Sequence, residues 1–120
     1  MEELLINTHN NCLKLKSSGV IRFAILLEIV YLKSDGHNTF IFMKDLSQYT
    51  ACKTLLNFET ILGHLFLRCH KTILVNPVYI KEINTRNHQI LLTTGETIPY
   101  SRNKARILEE KIIKKISLSY

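Results

Sequence analysis

The run FLRCHKTILVNPVYI, residues 66–80, sets Arg68, His70 and Lys71 close together in a strand-like segment that Asn76 and Pro77 stop a few residues later. Side chains of these types could serve a metal site, a catalytic site or an anion. A metal site fails on geometry. Cys69 and His70 are the one adjacent pair among three cysteines and five histidines, and neighbours on a strand point to opposite faces, so they cannot chelate one ion. Catalysis fails for want of partners. There is no Gly-rich phosphate loop, no G-x-S-x-G elbow and no H-E-x-x-H, and the carboxylates are scattered rather than paired. We therefore expect no metal, no cofactor and no enzymatic activity. A strand through 65–71 would put Leu65, Leu67 and Cys69 on one face and Phe66, Arg68 and His70 on the other, with Lys71 where the strand gives way. His70 then reads as a hydrogen-bonding anchor at a strand end.

A second group of cations points to an anion more directly. In SRNKARILEEKIIKKI, residues 101–116, Ala105, Leu108, Ile112 and Ile116 repeat at helical spacing, and Ser101 is the expected N-cap after Pro99. Arg102, Lys104 and Arg106 then crowd the first turn, where the macrodipole disfavours cations. A phosphate there would meet both the side chains and free backbone N–H groups. The alternative is that these side chains bend away to carboxylates elsewhere. Lys111, Lys114 and Lys115 lie near the other end of the helix, where the dipole favours them, and they need no ligand.

Charge is divided unevenly along the chain. Residues 1–60 hold six Lys/Arg and six Asp/Glu, whereas residues 61–120 hold ten against four, so the whole net charge of +6 lies in the second half. That favours a polyanionic partner without establishing one. The longest apolar run, VIRFAILLEIVYL at 20–32, is too short to span a bilayer and is interrupted by Arg22 and Glu28. With no signal peptide evident, no membrane association is expected. Cys12, Cys52 and Cys69 form no CxxC pair, which suits reduced, core-filling thiols in a cytoplasmic protein.

The elements that must position these residues are mostly short strands. One domain of 120 residues with its own core is expected. LLIN (4–7) and CLKLK (12–16) flank the turn-like THNN, and VIRFAI (20–25), IVYL (29–32) and TFIFM (39–43) carry strand chemistry, with LLE (26–28) as a short turn. KSDGHN (33–38) reads as a loop. VYIKEI, QILLT and TIPY are joined by hairpin-like connections at 84–89 and 93–97. One helix falls in TLLNFETILGHL, with Leu55, Phe58, Ile61 and Leu62 on its apolar face and Gly63 as its stop. The expected fold is mainly β, with several small antiparallel sheets, a short middle helix and a C-terminal helix.

Three separated blocks, LLEIVYLKSDGHNTFIF (26–42), FLRCHKTILVNPVYIKEI (66–83) and ILLTTGETIPYSRNKARIL (90–108), make the chain resemble the LytTR DNA-binding domain, the output module of LytR/AlgR-type bacterial response regulators, over roughly residues 14–113. The resemblance implies that loops between strands enter successive major grooves of duplex DNA, without a helix-turn-helix. It places base reading on His37 or Asn38, on Lys71 and on Arg102, with Lys104 and Arg106 as phosphate clamps. An Asn can meet adenine in bidentate fashion, a His can donate to a purine acceptor, and an Arg suits guanine O6 and N7. Arg68, His70 and Asn76 match the same blocks and are assigned to structure. The resemblance further implies transcription regulation at direct-repeat sites, a second copy on the adjacent repeat, and a receiver domain or other regulatory protein as partner. A protein-interaction module, using the basic half and strand edges, is the alternative. Single-stranded RNA binding would want exposed sheet aromatics, and Phe40 and Phe42 read as core.

Overall fold

The computed structural model describes residues 11–117. The expected strand at 4–7 and most of the turn after it lie outside them. Strands β1 (Cys12–Ser17) and β2 (Val20–Ile25) form a two-stranded hairpin whose turn residues, Ser18 and Gly19, both take positive φ. CLKLK therefore pairs forward, with VIRFAI. A 3-10 turn at Leu26–Glu28 leads into β3 (Ile29–Asp35), β4 (Asn38–Met43) and β5 (Gln48–Ala51). Helix α1 (Leu55–Leu62) follows, then β6 (Leu67–His70) and β7 (Ile73–Val75). A second 3-10 turn, Pro77–Tyr79, opens the last part: β8 (Ile80–Asn84), β9 (Gln89–Leu92), β10 (Thr97–Pro99) and helix α2 (Ala105–Ile116).

The central element is a five-stranded antiparallel sheet in the order β5-β4-β3-β7-β6. Period-two alternation makes it the middle layer of three. Ile41, Met43 and Leu74 point into one core with the β1–β2 hairpin and α1, whereas Phe42, Ile73 and Val75 point into another with α2 and the β10-β9-β8 sheet. A register shift between Ile29 and Tyr31 lets Val30 and Tyr31 both enter the second core. Asn76 ties the layers where β7 ends: its Nδ2 donates to the Ile29 carbonyl (3.0 Å) and its Oδ1 accepts from Val78 N–H (3.1 Å). The mainly β architecture with several small antiparallel sheets and two helices is as expected from the sequence.

Local departures each have a physical reason. The expected loop at 33–38 shrinks to a two-residue turn, Gly36–His37, closed by the Asp35–Asn38 pair. Gly36 has φ 62° and His37 does not go positive, the pattern of a II′ hairpin turn, whose twist lets both strands continue. β5 was not foreseen; QYTA has no strand pattern of its own and is ordered by pairing with β4. The strand expected over 65–71 starts only at Leu67, because the N–H groups of Leu65 and Phe66 both bond to the Leu62 carbonyl at the exit of α1. Phe66 is buried in the first core and Leu65 is exposed. α1 is capped by Thr54, whose hydroxyl accepts from Asn57 N–H (3.3 Å), but Ile61 faces solvent. α2 begins at Ala105, so Ser101 is not its N-cap; Lys104 holds that position and makes no side-chain cap bond. Ile116, expected on the buried stripe, is exposed. Of the three thiols only Cys69 is a core residue, with burial pushing it up to about 12, while Cys52 is exposed and Cys12 half-buried. Phe40 and Phe42, expected as core, are both half-buried; Phe42 packs against the second core and stacks on Tyr31 with ring centroids 4.4 Å apart.

Candidate nucleic-acid interface

The β6–β7 turn is where Lys71 sits, and nearly every polar group around it is committed. Arg68 reaches back across the turn, with Nε donating to the His70 carbonyl (3.0 Å) and Nη2 to the Lys71 carbonyl. Its Nη1 meets Glu59 Oε1 of α1 at 2.6 Å. His70 Nδ1 lies 3.2 Å from Thr72 N–H, which donates to it, and 2.9 Å from Thr72 Oγ1. The Thr72 carbonyl accepts from Ser34 N–H on β3 (2.9 Å). His70 is thus the turn anchor expected from the sequence, and the Lys71 side chain is left exposed. Burial, and then the charges of Lys71, Arg68 and Lys33, hold His70 below the usual imidazole range.

The segment between β10 and α2 is fastened to the same place. Ser101 N–H donates to the Cys69 carbonyl (2.8 Å), and Tyr100 N–H to the His88 carbonyl (3.1 Å). The buried Tyr100 ring turns its hydroxyl to Glu109 Oε2 (2.5 Å). Beyond these anchors Arg102, Asn103 and Lys104 stand exposed. An open cleft of about 660 Å³ results, lined by Lys71, Arg102 and Lys104 together with Arg68, His70 and His88. Arg106, second residue of α2, is exposed and is not among the cleft's lining residues.

The β3–β4 turn lies outside this cleft but at the same end of the sheet. β7 runs antiparallel to both β3 and β6, with Lys33 opposite Ile73, so β3 and β6 finish at the same end of the sheet with β7 between them. From strand spacing and rise, His37 lies roughly 10–15 Å from Lys71. His37 occupies the exposed turn. Asn38, expected in a loop with it, is instead the half-buried first residue of β4. Three connections therefore bring Lys71, Arg102 and Lys104 into one cleft, with His37 and Asn38 on an adjoining corner.

These cations have no internal partners. Among the described residues the ion pairs are Lys44 with Glu28 (3.9 Å) and Arg68 with Glu59. None involves Lys71, Arg102, Lys104 or Arg106, so among the described residues they do not bend away to carboxylates. Two contributors were not singled out from the sequence. Lys33 looked like part of a loop, and only its strand register opposite Ile73 puts its charge beside His70. His88 sits in the β8–β9 turn at φ 56°, edge-on to Tyr100 with centroids 5.6 Å apart, and its buried Nδ1 has no partner among the described residues. Among the described residues no group of three or more His, Cys, Asp or Glu could hold a metal ion, and no helix is long and apolar enough to cross a membrane.

The molecule is thus a three-layer β-domain that gathers Lys71 of the β6–β7 turn and Arg102 and Lys104 of the segment before α2 into one cleft, without ion-pair partners among the described residues. The family model of the LytTr DNA-binding domain matches residues 20–113, and the chain belongs to that family of DNA-binding domains. Its fold is similar to that of the LytTr DNA-binding domain of a Bacillus cereus protein described as a methyl-accepting/DNA response regulator. The TM-score is 0.73 and the identity 24%, over 86% of this chain and 96% of the other. No curated protein matches the chain. Members of this family bind DNA rather than catalyse a reaction.

Proposed function

We propose that the chain is a transcriptional regulator that reads duplex DNA through the turns at this end of the sheet. Lys71, Arg102 and either His37 or Asn38 contact base edges, and Lys104 and Arg106 hold phosphates beside the N-terminus of α2. The observation that carries the reading is the convergence of Lys71, Arg102 and Lys104 on one cleft, with no carboxylate partner among the described residues. Side chains on tight, anchored turns enter a major groove with little conformational freedom left to lose. Two copies would occupy direct repeats on one face of the duplex as monomers that meet on DNA, with a receiver domain or another cytoplasmic protein supplying the signal. A mobility-shift titration against duplex from the protein's own gene neighbourhood, with RNA and scrambled duplex as competitors, tests this. Specific retention of the duplex is expected, and equal affinity for scrambled duplex at physiological salt would refute it.

The protein-interaction alternative draws on a different surface. β2 pairs with β1 alone among the described strands, and its Ile21, Phe23 and Ile25 are exposed, a strand edge open to pairing. That surface lies on the hairpin that covers the first core, away from the cationic cleft, and so can operate alongside DNA binding.

A further inference from the structure

Arg68 is the residue of the cationic group whose charge is already spent. Its guanidinium is engaged on all three nitrogens, by Glu59, the His70 carbonyl and the Lys71 carbonyl. A cation neutralised at 2.6 Å by a carboxylate has little to offer a phosphate. What it does control is the backbone on both sides of Lys71. With His70 Nδ1 holding Thr72 N–H and Ser34 N–H holding the Thr72 carbonyl, the turn is fastened to α1 on one side and to β3 on the other. Its backbone conformation is therefore set by the Arg68 and His70 side chains and by a backbone N–H of β3.

We propose that Arg68 is a positioning residue for DNA reading: by bracing the β6–β7 turn against Glu59 of α1, it fixes the direction in which Lys71 is presented, without itself touching DNA. The proposal rests on the reading of Lys71 as a DNA contact. A bidentate, planar fork is required, because one group must satisfy two successive carbonyls and a carboxylate at once. Lysine, a single point donor, can keep the charge near Glu59 but cannot span all three acceptors. The consequence is that Arg68 and Lys71 act as one unit, and removing either removes the same contribution.

A double-mutant cycle reads this unit directly. The probe is a duplex selected from a random pool by the parent protein, with a scrambled duplex of equal length as the non-specific reference. Lys71→Ala is expected to weaken specific binding about fivefold to tenfold, the low end for one base contact. Arg68→Lys should weaken it by a similar factor, and the double variant no more than Lys71→Ala alone. Glu59→Gln, which loosens the brace while leaving Arg68 in place, should give a smaller loss that also vanishes in the Lys71→Ala background. The salt slope of a paired Arg68→Gln/Glu59→Gln variant on scrambled duplex should equal the parent's, because the pair is removed without a net change in charge and no phosphate contact is lost. Full additivity of Arg68→Lys and Lys71→Ala, or an Arg68→Lys protein that binds like the parent, overturns the brace. So does a salt slope lowered by about one unit, which would make Arg68 a phosphate contact. If Lys71→Ala alone binds like the parent, the reading of Lys71 fails first and the brace falls with it.

Discussion

The β3–β4 and β6–β7 turns end the same sheet on the same side, and they hold their exposed residues in opposite ways. The β3–β4 turn is fixed by backbone geometry alone: two residues, a single positive φ at Gly36, and the Asp35–Asn38 pair closing it. The β6–β7 turn has no glycine and borrows its shape from Arg68, His70 and Ser34. A turn of the first kind needs a special residue inside it and tolerates change around it. A turn of the second kind tolerates change inside it and fails when a distant partner is lost. The presented residue, His37 or Lys71, is free to vary only if the device holding it stays.

The largest effect is expected at the segment between β10 and α2, which is fastened to β6 at Cys69. Arg102→Ala should cost about 1–3 kcal/mol of discrimination at one guanine while the melting temperature stays that of the parent. A melting temperature that falls in step with binding would make Arg102 a structural residue. Next comes the turn held by backbone. Nothing lies within 4 Å of a Cβ built on Gly36, so Gly36→Val tests φ 62° alone and should destabilise by about 1–2 kcal/mol, measured by denaturant unfolding. No loss there would mean that the turn can change type, and the contrast with β6–β7 would dissolve.

A smaller effect separates clamping from reading. Lys104→Ala and Arg106→Ala should each weaken specific and scrambled duplex by similar factors and flatten the log affinity against log salt line by about 0.9. An unchanged slope in both variants over the parent's salt range would return these cations to solvent. For Arg106, which stands outside the cleft, an unchanged slope beside a flattened one for Lys104 would confine the phosphate contact to the cleft side of α2.

The smallest effect concerns pH. His70 is held below its ordinary value by burial and by Lys71, Arg68 and Lys33, so the fold favours the neutral ring. Its contribution to stability is present above the unfolded-state value, near 6.5, and is lost as pH falls through the lower folded value. Protonating Nδ1 also removes the acceptor for Thr72 N–H. The melting temperature of the parent should therefore drop more between pH 7 and pH 5 than that of His70→Gln. Equal slopes in the two proteins would show that the ring carries no such linkage.

Much of the fold was legible because local chemistry and tertiary packing agree. Period-two runs such as TFIFM became β4 with Ile41 and Met43 on one face and Phe42 on the other. Leu55 and Phe58, and likewise Leu108 and Ile112, are buried along their helices as their spacing requires. Illegible elements lacked a pattern of their own. β5 exists because β4 offers it a ladder, and CLKLK chose its partner through the Ser18–Gly19 turn. Cys52 and Ile61 are apolar by type and exposed in place, since residue type says nothing about which neighbour arrives to cover it.

The candidate site divides along the same line. Residue types, charge imbalance and the three ordered blocks make Lys71, Arg102 and Lys104 candidates, because an anion-binding side chain must carry its own charge wherever it sits. That these three share a cleft, that Arg106 lies outside it, that Asn38 is held in a strand, and that Lys33 reaches the field around His70 were decided by tertiary structure. The physical reason is strand pairing. Register between β3, β7 and β6 sets Lys33 and His70 on either side of Ile73, and the Ser101 N–H bond to the Cys69 carbonyl brings the segment before α2 to the same end of β6, so composition carries the chemistry of the site and only the folded sheet carries its geometry.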